Sequence, residues 1–509
     1  MAINLTSANT TTQIFANVAG DIWVIAERVF VNVVGDAING ATANGNKTFL
    51  IHGHVVADGF ASDGIALGSG GSGGDNRVHV YDTGSIAAED VAVESVGGGL
   101  VLVNEGSLSG HAQGIFLNDA NNRVVNHGTI VSTGKGFDSN GNGFVLRNYG
   151  LIEALSDAVD VTGSGHRIEN HGTIATLASS AYGIDLRFAG GDNLVVNTGL
   201  ITGGAIAIEA GAGIETVRNS GTIDGDVLLG DGADAFDGRG GTVSGSVRGG
   251  AGNDSYAVDD PDIRLVEQAG EGTDTVFAAT SFRLGPNFEN LTLLGAGNDR
   301  GIGNGVGNTI NGNDADNVLS GLGGNDVIVG REGDDVIRGG SGNDALGGSE
   351  GDDILVGEGG ADAMNGNDGD DVLRGGDGAD NLFGADGEDV LIGRNGADTL
   401  TGGADGDTFV FKRKSDSIPG PLNDVITDFQ AGIDLIDLTA IDAVSGPGSS
   451  GNQAFTFIGA AGFTGAGQVR AFTFAGNTFV DAETTGDGVL DFRIQLTGLV
   501  ALTAADFAL

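Results

Sequence analysis

The 509-residue chain has no cysteine, five prolines, one tryptophan and only 23 lysines and arginines together. Without cysteine, disulfide scaffolds, thiolate metal sites and cysteine nucleophiles are all excluded. Acidic residues number 69 and the net charge is −46, so the basic face that nucleic-acid phosphates need is missing. Five prolines and no three-residue glycine period remove a collagen-like helix. Long apolar runs are absent too. The most apolar early stretch, 22–34, is broken by Glu27, Arg28 and Asn32, short of the ~18 clean residues of a membrane span. No Lys or Arg occurs in the first twenty residues, so the charged start of a secretory signal peptide is not seen and export by another route is expected. What is abundant is glycine, 96 residues, beside a 40% hydrophobic content that is enough to build a core.

The glycines are periodic. One stands at every ninth position from Gly303 to Gly402. Seven places after each comes an apolar residue, from Ile310 to Phe409. Five places after the last ten glycines comes aspartate: Asp326, Asp335, Asp344, Asp353, Asp362, Asp371, Asp380, Asp389, Asp398 and Asp407. Asn308 and Asn317 hold that place in the first two units. Such a unit predicts a six-residue glycine turn and a three-residue strand whose middle side chain points inward. Two units then make one coil, and the aspartates form two files. Residues 303–410 carry 23 acidic side chains against four arginines and no lysine, a net of −19. A hard dication with oxygen ligands cancels such a charge.

GSGNDALGG, GDGADNLFG and GREGDDVIRG resemble the nonapeptides of RTX proteins, the calcium-binding parallel β-roll. The resemblance implies multiple Ca2+ ions, each between aspartates two units apart, such as Asp335 and Asp353. Ten aspartates imply up to about eight sites of the ~10⁻⁴ to 10⁻³ M extracellular kind. Asp405 stands where the turn's second fixed glycine is expected, so the last site is altered.

Upstream the period is about 22. NEGSL (104–108), NHGTI (126–130), NYGLI (148–152), NHGTI (170–174), NTGLI (197–201) and NSGTI (219–223) share N-x-G-x-[IL]. Short alternating strands lie between them, and together they read as coils of a parallel β-helix with a stacked asparagine ladder at one turn. The expected fold is therefore all-β: an N-terminal cap and first coils (1–60), a parallel β-helix (61–224), an irregular RTX-like segment (225–302), the β-roll (303–411) and a C-terminal β capping domain (412–509). The irregular segment includes GDGADAFDG with Asp234 and GGAGNDSYAV with Asp254. NDVITDFQAGIDLIDL (423–438) and the last 19 residues resemble the C-terminal domain of serralysin-type proteins, which implies a cap and an uncleaved type I secretion signal. Glu483–Asp491 resembles a partial calcium loop in which Glu and Thr replace the first two ligands.

Enzymatic motifs are scarce. None of the seven histidines is followed by Glu, which excludes the H-E-x-x-H zinc proteases. The G-x-S-x-G matches at 70–74 and 347–351 lack the strand-to-helix setting of a nucleophile elbow. Mannuronan epimerases join a parallel β-helix to RTX modules, and Tyr182-Gly183-Ile184-Asp185 resembles the start of their motif, although Leu186 and Arg187 replace the Pro-His that should follow. In the 22-residue register Glu105, His127, Tyr149 and His171 fall in one column, and Asp160 and Asp185 in another. Asp160, Asp185, His127, Tyr149 and His171 make up the candidate catalytic set of a polysaccharide-modifying epimerase, lyase or hydrolase. The leading expectation is a secreted, calcium-folded structural or adhesive protein, extracellular or on the cell surface. Its expected partners are calcium, the type I secretion machinery and a polysaccharide or cell-surface ligand, with no nucleic acid and no membrane span.

Overall fold

The computed structural model describes residues 2–5, 14–15, 22–27, 29–39, 47–68, 76–97, 99–445 and 452–509. The chain divides into two compact units, Met1–Asp274 and Thr275–Leu509. Among the described residues the one helical element is a 3₁₀ turn, Ala504–Asp506. No helix among the described residues is long and apolar enough to cross a membrane. The G-x-S-x-G match at 70–74 lies in residues outside those described.

The amino-terminal unit is a parallel β-solenoid. Leu100–Asn104, Ser107–Gly110 and Gln113–Leu117 make one coil. Each strand pairs in parallel with its equivalent 22 residues on. Alternation within each strand sends every second side chain inward, so like residues stack. One buried file runs Ile86, Leu108, Ile130, Ile152, Ile174, Ile201 and Ile223, none more than 1% exposed. Each such side chain contributes about 1.5–3 kcal/mol by leaving water. The asparagine ladder is present: Asn104, Asn126, Asn148, Asn170 and Asn197 each donate Nδ2 to Oδ1 of the next asparagine, the last being Asn219, at 2.7–2.8 Å. Described strands of the first sixty residues join the same ladders, with Ile22–Ile25 parallel to Thr48–Ile51 and Phe30–Val34 parallel to His54–Asp58. The amino-terminal cap expected over 1–60 lies partly on residues outside those described.

The carboxy-terminal unit is a narrower parallel solenoid with two nonapeptides per coil. Val327–Glu332, Ala345–Glu350, Ala363–Asp368, Asn381–Asp386 and Thr399–Ala404 stack in one sheet. The alternate units, Val318–Gly323 through Val390–Asn395, stack in a second sheet. Ile328, Leu346, Met364, Leu382 and Leu400 fill the core from one side, and Leu319, Ile337, Leu355, Leu373 and Leu391 from the other. Parallel register runs on into the turns, as at Arg331↔Ser349 and Glu332↔Glu350, so the strands span six residues where the sequence suggests three. The ladder also outlasts the sequence period at Phe411. Asp424–Ile426 pairs with Thr399–Ala404, and Leu435–Asp437 with Thr408–Val410, adding a further coil. Beyond it, Gln468–Phe474, Asn477–Glu483 and Phe492–Leu496 form an antiparallel meander.

Candidate functional site

The ten sequence-predicted aspartates are each at most 2% exposed. Their geometry repeats. Oδ1 accepts the backbone N–H of the residue 18 positions earlier, at 2.6–3.1 Å, as in Asp335 N–H to Asp353 and Asp353 N–H to Asp371. Oδ2 of every one of the ten is shut from solvent and has no hydrogen-bond donor. A Cβ on the glycine five places earlier would fall on that oxygen, for example from Gly330 on Asp335 or from Gly366 on Asp371. The unbroken glycine column thus keeps a notch open beside each orphaned oxygen. Burial pushes Asp335 up to about 7, with the Asp353 carboxylate adding and the Asn317 N–H opposing. Asp371, Asp380 and Asp407 are likewise pushed to about 7, and Asp326, Asp353, Asp389 and Asp398 to about 6, in each case chiefly by burial. Burial also raises Asp344 and Asp362. A buried carboxylate oxygen without a partner is costly unless a cation lies beside it. The donors here are all oxygens, which suits a hard divalent cation.

The files extend past the residues that periodicity identifies. Asp398 N–H donates to Asp424 at 3.0 Å and Asp407 N–H to Asp434 at 3.2 Å. Burial and the Asp398 carboxylate push Asp424 up to about 9. The 26- and 27-residue steps that reach these two conceal them from a nine-residue search. Asp405 does occupy a left-handed position, φ 67°, where the nine units before it, Gly324 to Gly396, have glycine. In the amino-terminal unit Glu215, Asp234 and Asp254 repeat the pattern, each N–H donating to the next carboxylate at 2.7–2.8 Å and the last to Asp274.

Asp160 and Asp185 do meet, in register on Val159–Val161 and Ile184–Leu186. The same file contains Glu94, Phe116 and Asp138, and Glu209 follows Asp185. Neither aspartate is exposed: Asp160 is 8% and Asp185 2% accessible. Lys135 pairs with Asp160 and, at 3.2 Å, with Asp138. Arg187 grips Asp185 at 2.7 and 3.0 Å and lies 4.4 Å over the Tyr182 ring. Burial raises the Asp160 carboxyl against the pull of Lys135. Asp157 brings a third carboxylate within 4.8 Å of these two. His127, Tyr149 and His171 occupy a separate column at the asparagine turns, with ring centroids 4.8 and 4.9 Å apart. That column also includes Glu105, which pairs with His79 at 3.3 Å.

Two further features belong to the carboxy-terminal unit. In the Glu483–Asp491 loop, Thr484 donates to Asp491 at 2.8 and 2.9 Å, and Glu483 accepts from Thr485 and Gly486. A cleft of about 380 Å³ is lined by Arg374, Arg394, Lys412 and Arg413, a local excess of positive charge over Glu358, Asp377 and Asp416 in an acidic region.

Residues 294–409 match the family of RTX calcium-binding nonapeptide repeats in overlapping spans (294–328, 311–346, 338–373, 347–382 and 374–409). An 83-residue stretch is 37% identical to the endo-1,3-1,4-beta-glycanase ExsH of Rhizobium meliloti (strain 1021); it covers 16% of this chain and 16% of that protein. The solution structure of the AlgE6R3 subunit from the Azotobacter vinelandii mannuronan C5-epimerase aligns at 28% identity, over 32% of this chain and 80% of that one, with a TM-score of 0.19.

Proposed function

We propose, from the RTX calcium-binding repeats carried by residues 294–409, that this is an exported protein whose carboxy-terminal unit folds on extracellular calcium and serves a structural or adhesive role at the cell surface or in the matrix. The observation that carries this reading is the double file of buried aspartates with one oxygen unpartnered beside a glycine notch. Asp326, Asp335, Asp344, Asp353, Asp362, Asp371, Asp380, Asp389, Asp398 and Asp407 would hold the ions, and Asp424 and Asp434 continue their files. Calcium supplies the positive charge that lets these carboxylates stay ionised while buried. The chain's own part is to point each Oδ2 at its notch and fix Oδ1 on a backbone N–H. Export by a type I route fits the cysteine-free chain. The basic cleft at Arg374, Arg394, Lys412 and Arg413 suits an acidic polysaccharide as the retained ligand.

The registered Asp160–Asp185 pair supports a second reading, a polysaccharide-modifying enzyme on the amino-terminal solenoid, with Lys135, Tyr182 and Arg187 around it. His127, Tyr149 and His171 stand in a different column and would there contact the chain of sugars rather than the reacting bond. One experiment addresses both readings. Calcium binding by equilibrium dialysis and far-UV circular dichroism is followed in the wild type and in Asp371→Asn, which keeps the N–H acceptor but removes the charge. Half-saturating calcium should rise at least about tenfold. An unchanged titration would sink the array assignment. With the calcium-loaded protein, turnover of acidic polysaccharides that disappears in Asp160→Asn/Asp185→Asn would make it an enzyme, and co-sedimentation without turnover supports the adhesive role.

A further inference from the structure

The last coil of the amino-terminal unit contains three carboxylates outside the nonapeptide array. Oxygens of Asp254, Glu267 and Asp274 all lie within 4.8 Å of one another. The residues are 2%, 5% and 1% exposed. They come from different places: Asp254 precedes the strand Ser255–Val258, while Glu267 and Asp274 lie in the segment that follows it. Glu267 accepts the N–H groups of Gly249 and Gly250 at 3.2 and 3.4 Å and the hydroxyl of Tyr256. Asp274 accepts the Asp254 N–H at 2.8 Å, and Asp254 Oδ1 accepts the Asp234 N–H at 2.7 Å.

A second observation points to a ligand. Asp254 Oδ2 is shut from solvent and has no hydrogen-bond donor. A Cβ at Gly249 would strike both this oxygen and the Tyr256 hydroxyl, so the backbone leaves a notch where the two converge. Oxygens this close together, all within 4.8 Å, can share one ion bound at about 2.3–2.6 Å. Every donor is oxygen, which selects a hard cation.

We propose that Asp254, Glu267 and Asp274 bind one divalent cation of the calcium class, with the Tyr256 hydroxyl beside it. This site differs from the array in taking a glutamate from outside the aspartate file, and it stands or falls separately from the array. Bound there, the ion ties the segment containing Glu267 to the strand Ser246–Ala251, through the N–H groups Glu267 already accepts.

Terbium(III) is a calcium-sized probe whose emission is sensitised by an adjacent tyrosine. Residues 275–509 contain no tyrosine or tryptophan, so ions in the nonapeptide array stay dark. In the full chain, tyrosine-excited terbium emission should appear and be displaced by excess calcium. Tyr256→Phe should lose most of that emission while still binding the same number of calcium ions. Glu267→Gln should lose the emission and bind one calcium ion fewer by dialysis. Tyr182→Phe, beside the Asp157–Asp160–Asp185 group, should change neither. Emission that survives Tyr256→Phe, or that disappears only in Tyr182→Phe, overturns the proposal. So does an unchanged ion count in Glu267→Gln.

Discussion

An aspartate in the array divides its work between two oxygens. One holds the coil before it through a backbone N–H, and the other faces a notch that only glycine leaves open. This arrangement gives the metal-free protein a defined pH dependence. An unfolded aspartate titrates near about 4. In the folded roll burial raises the same groups to about 6 or 7. Between those values the folded state binds more protons than the unfolded one, so its stability falls as pH rises. In chelator, the carboxy-terminal unit should therefore keep more β structure by far-UV circular dichroism at about pH 5 than at about pH 7.5, where it melts. Calcium should reverse the order, because ion and proton compete for the same oxygens. A metal-free β signal that rises with pH would refute this account. Ten of the twelve aspartates in the files were legible from the nine-residue period. Asp424 and Asp434 were not, because the longer connections before them break the spacing while the backbone ladder continues.

At the scale of the coil, the asparagine ladder does for the amino-terminal solenoid what carboxylates do for the roll, and it needs no ion. Asn148 shows how. Its Nδ2 donates to Asn170 at 2.8 Å and to the Thr173 carbonyl at 3.0 Å, and its Oδ1 accepts from Asn126 at 2.8 Å. It is fully buried. Asn148→Ala leaves the amide of Asn126 and the oxygen of Asn170 short of a partner, at about 1–3 kcal/mol for each unsatisfied group. Thermal unfolding of the amino-terminal unit should shift down, and a variant as stable as wild type would show the ladder to be incidental. The repeated N-x-G motif made this ladder readable in advance. The acid file on the neighbouring strand was only partly readable. Asp160 and Asp185 are 25 residues apart and Asp185 and Glu209 24, so the backbone register continues while the spacing departs from 22. Lys135 and Arg187, which neutralise the pair, reach it by side-chain length rather than by spacing.

For the whole molecule, the two solenoids answer differently to the loss of calcium. Residues 303–410 carry −19 of the total −46, leaving −27 for the other 401 residues. Ten of the array's 23 acidic side chains lie in two buried files, whereas the amino-terminal coils are built on aliphatic files and amide–amide hydrogen bonds. Self-repulsion among buried carboxylates opposes the roll, and aliphatic burial holds the amino-terminal coils without help from an ion. Chelation should therefore melt the carboxy-terminal unit and leave most of the amino-terminal one folded. Limited proteolysis with mass spectrometry separates the outcomes. With chelator, a protected fragment should end at or before Asp274, and with calcium, protection should extend through the nonapeptides. Far-UV circular dichroism should keep a substantial β signal in chelator and gain more on adding calcium. Complete digestion in chelator would mean that the asparagine-laddered coils also depend on an ion. Equal protection in both conditions would mean that the carboxylate files fold without one, and calcium would then be a ligand of a finished structure rather than the agent that folds it.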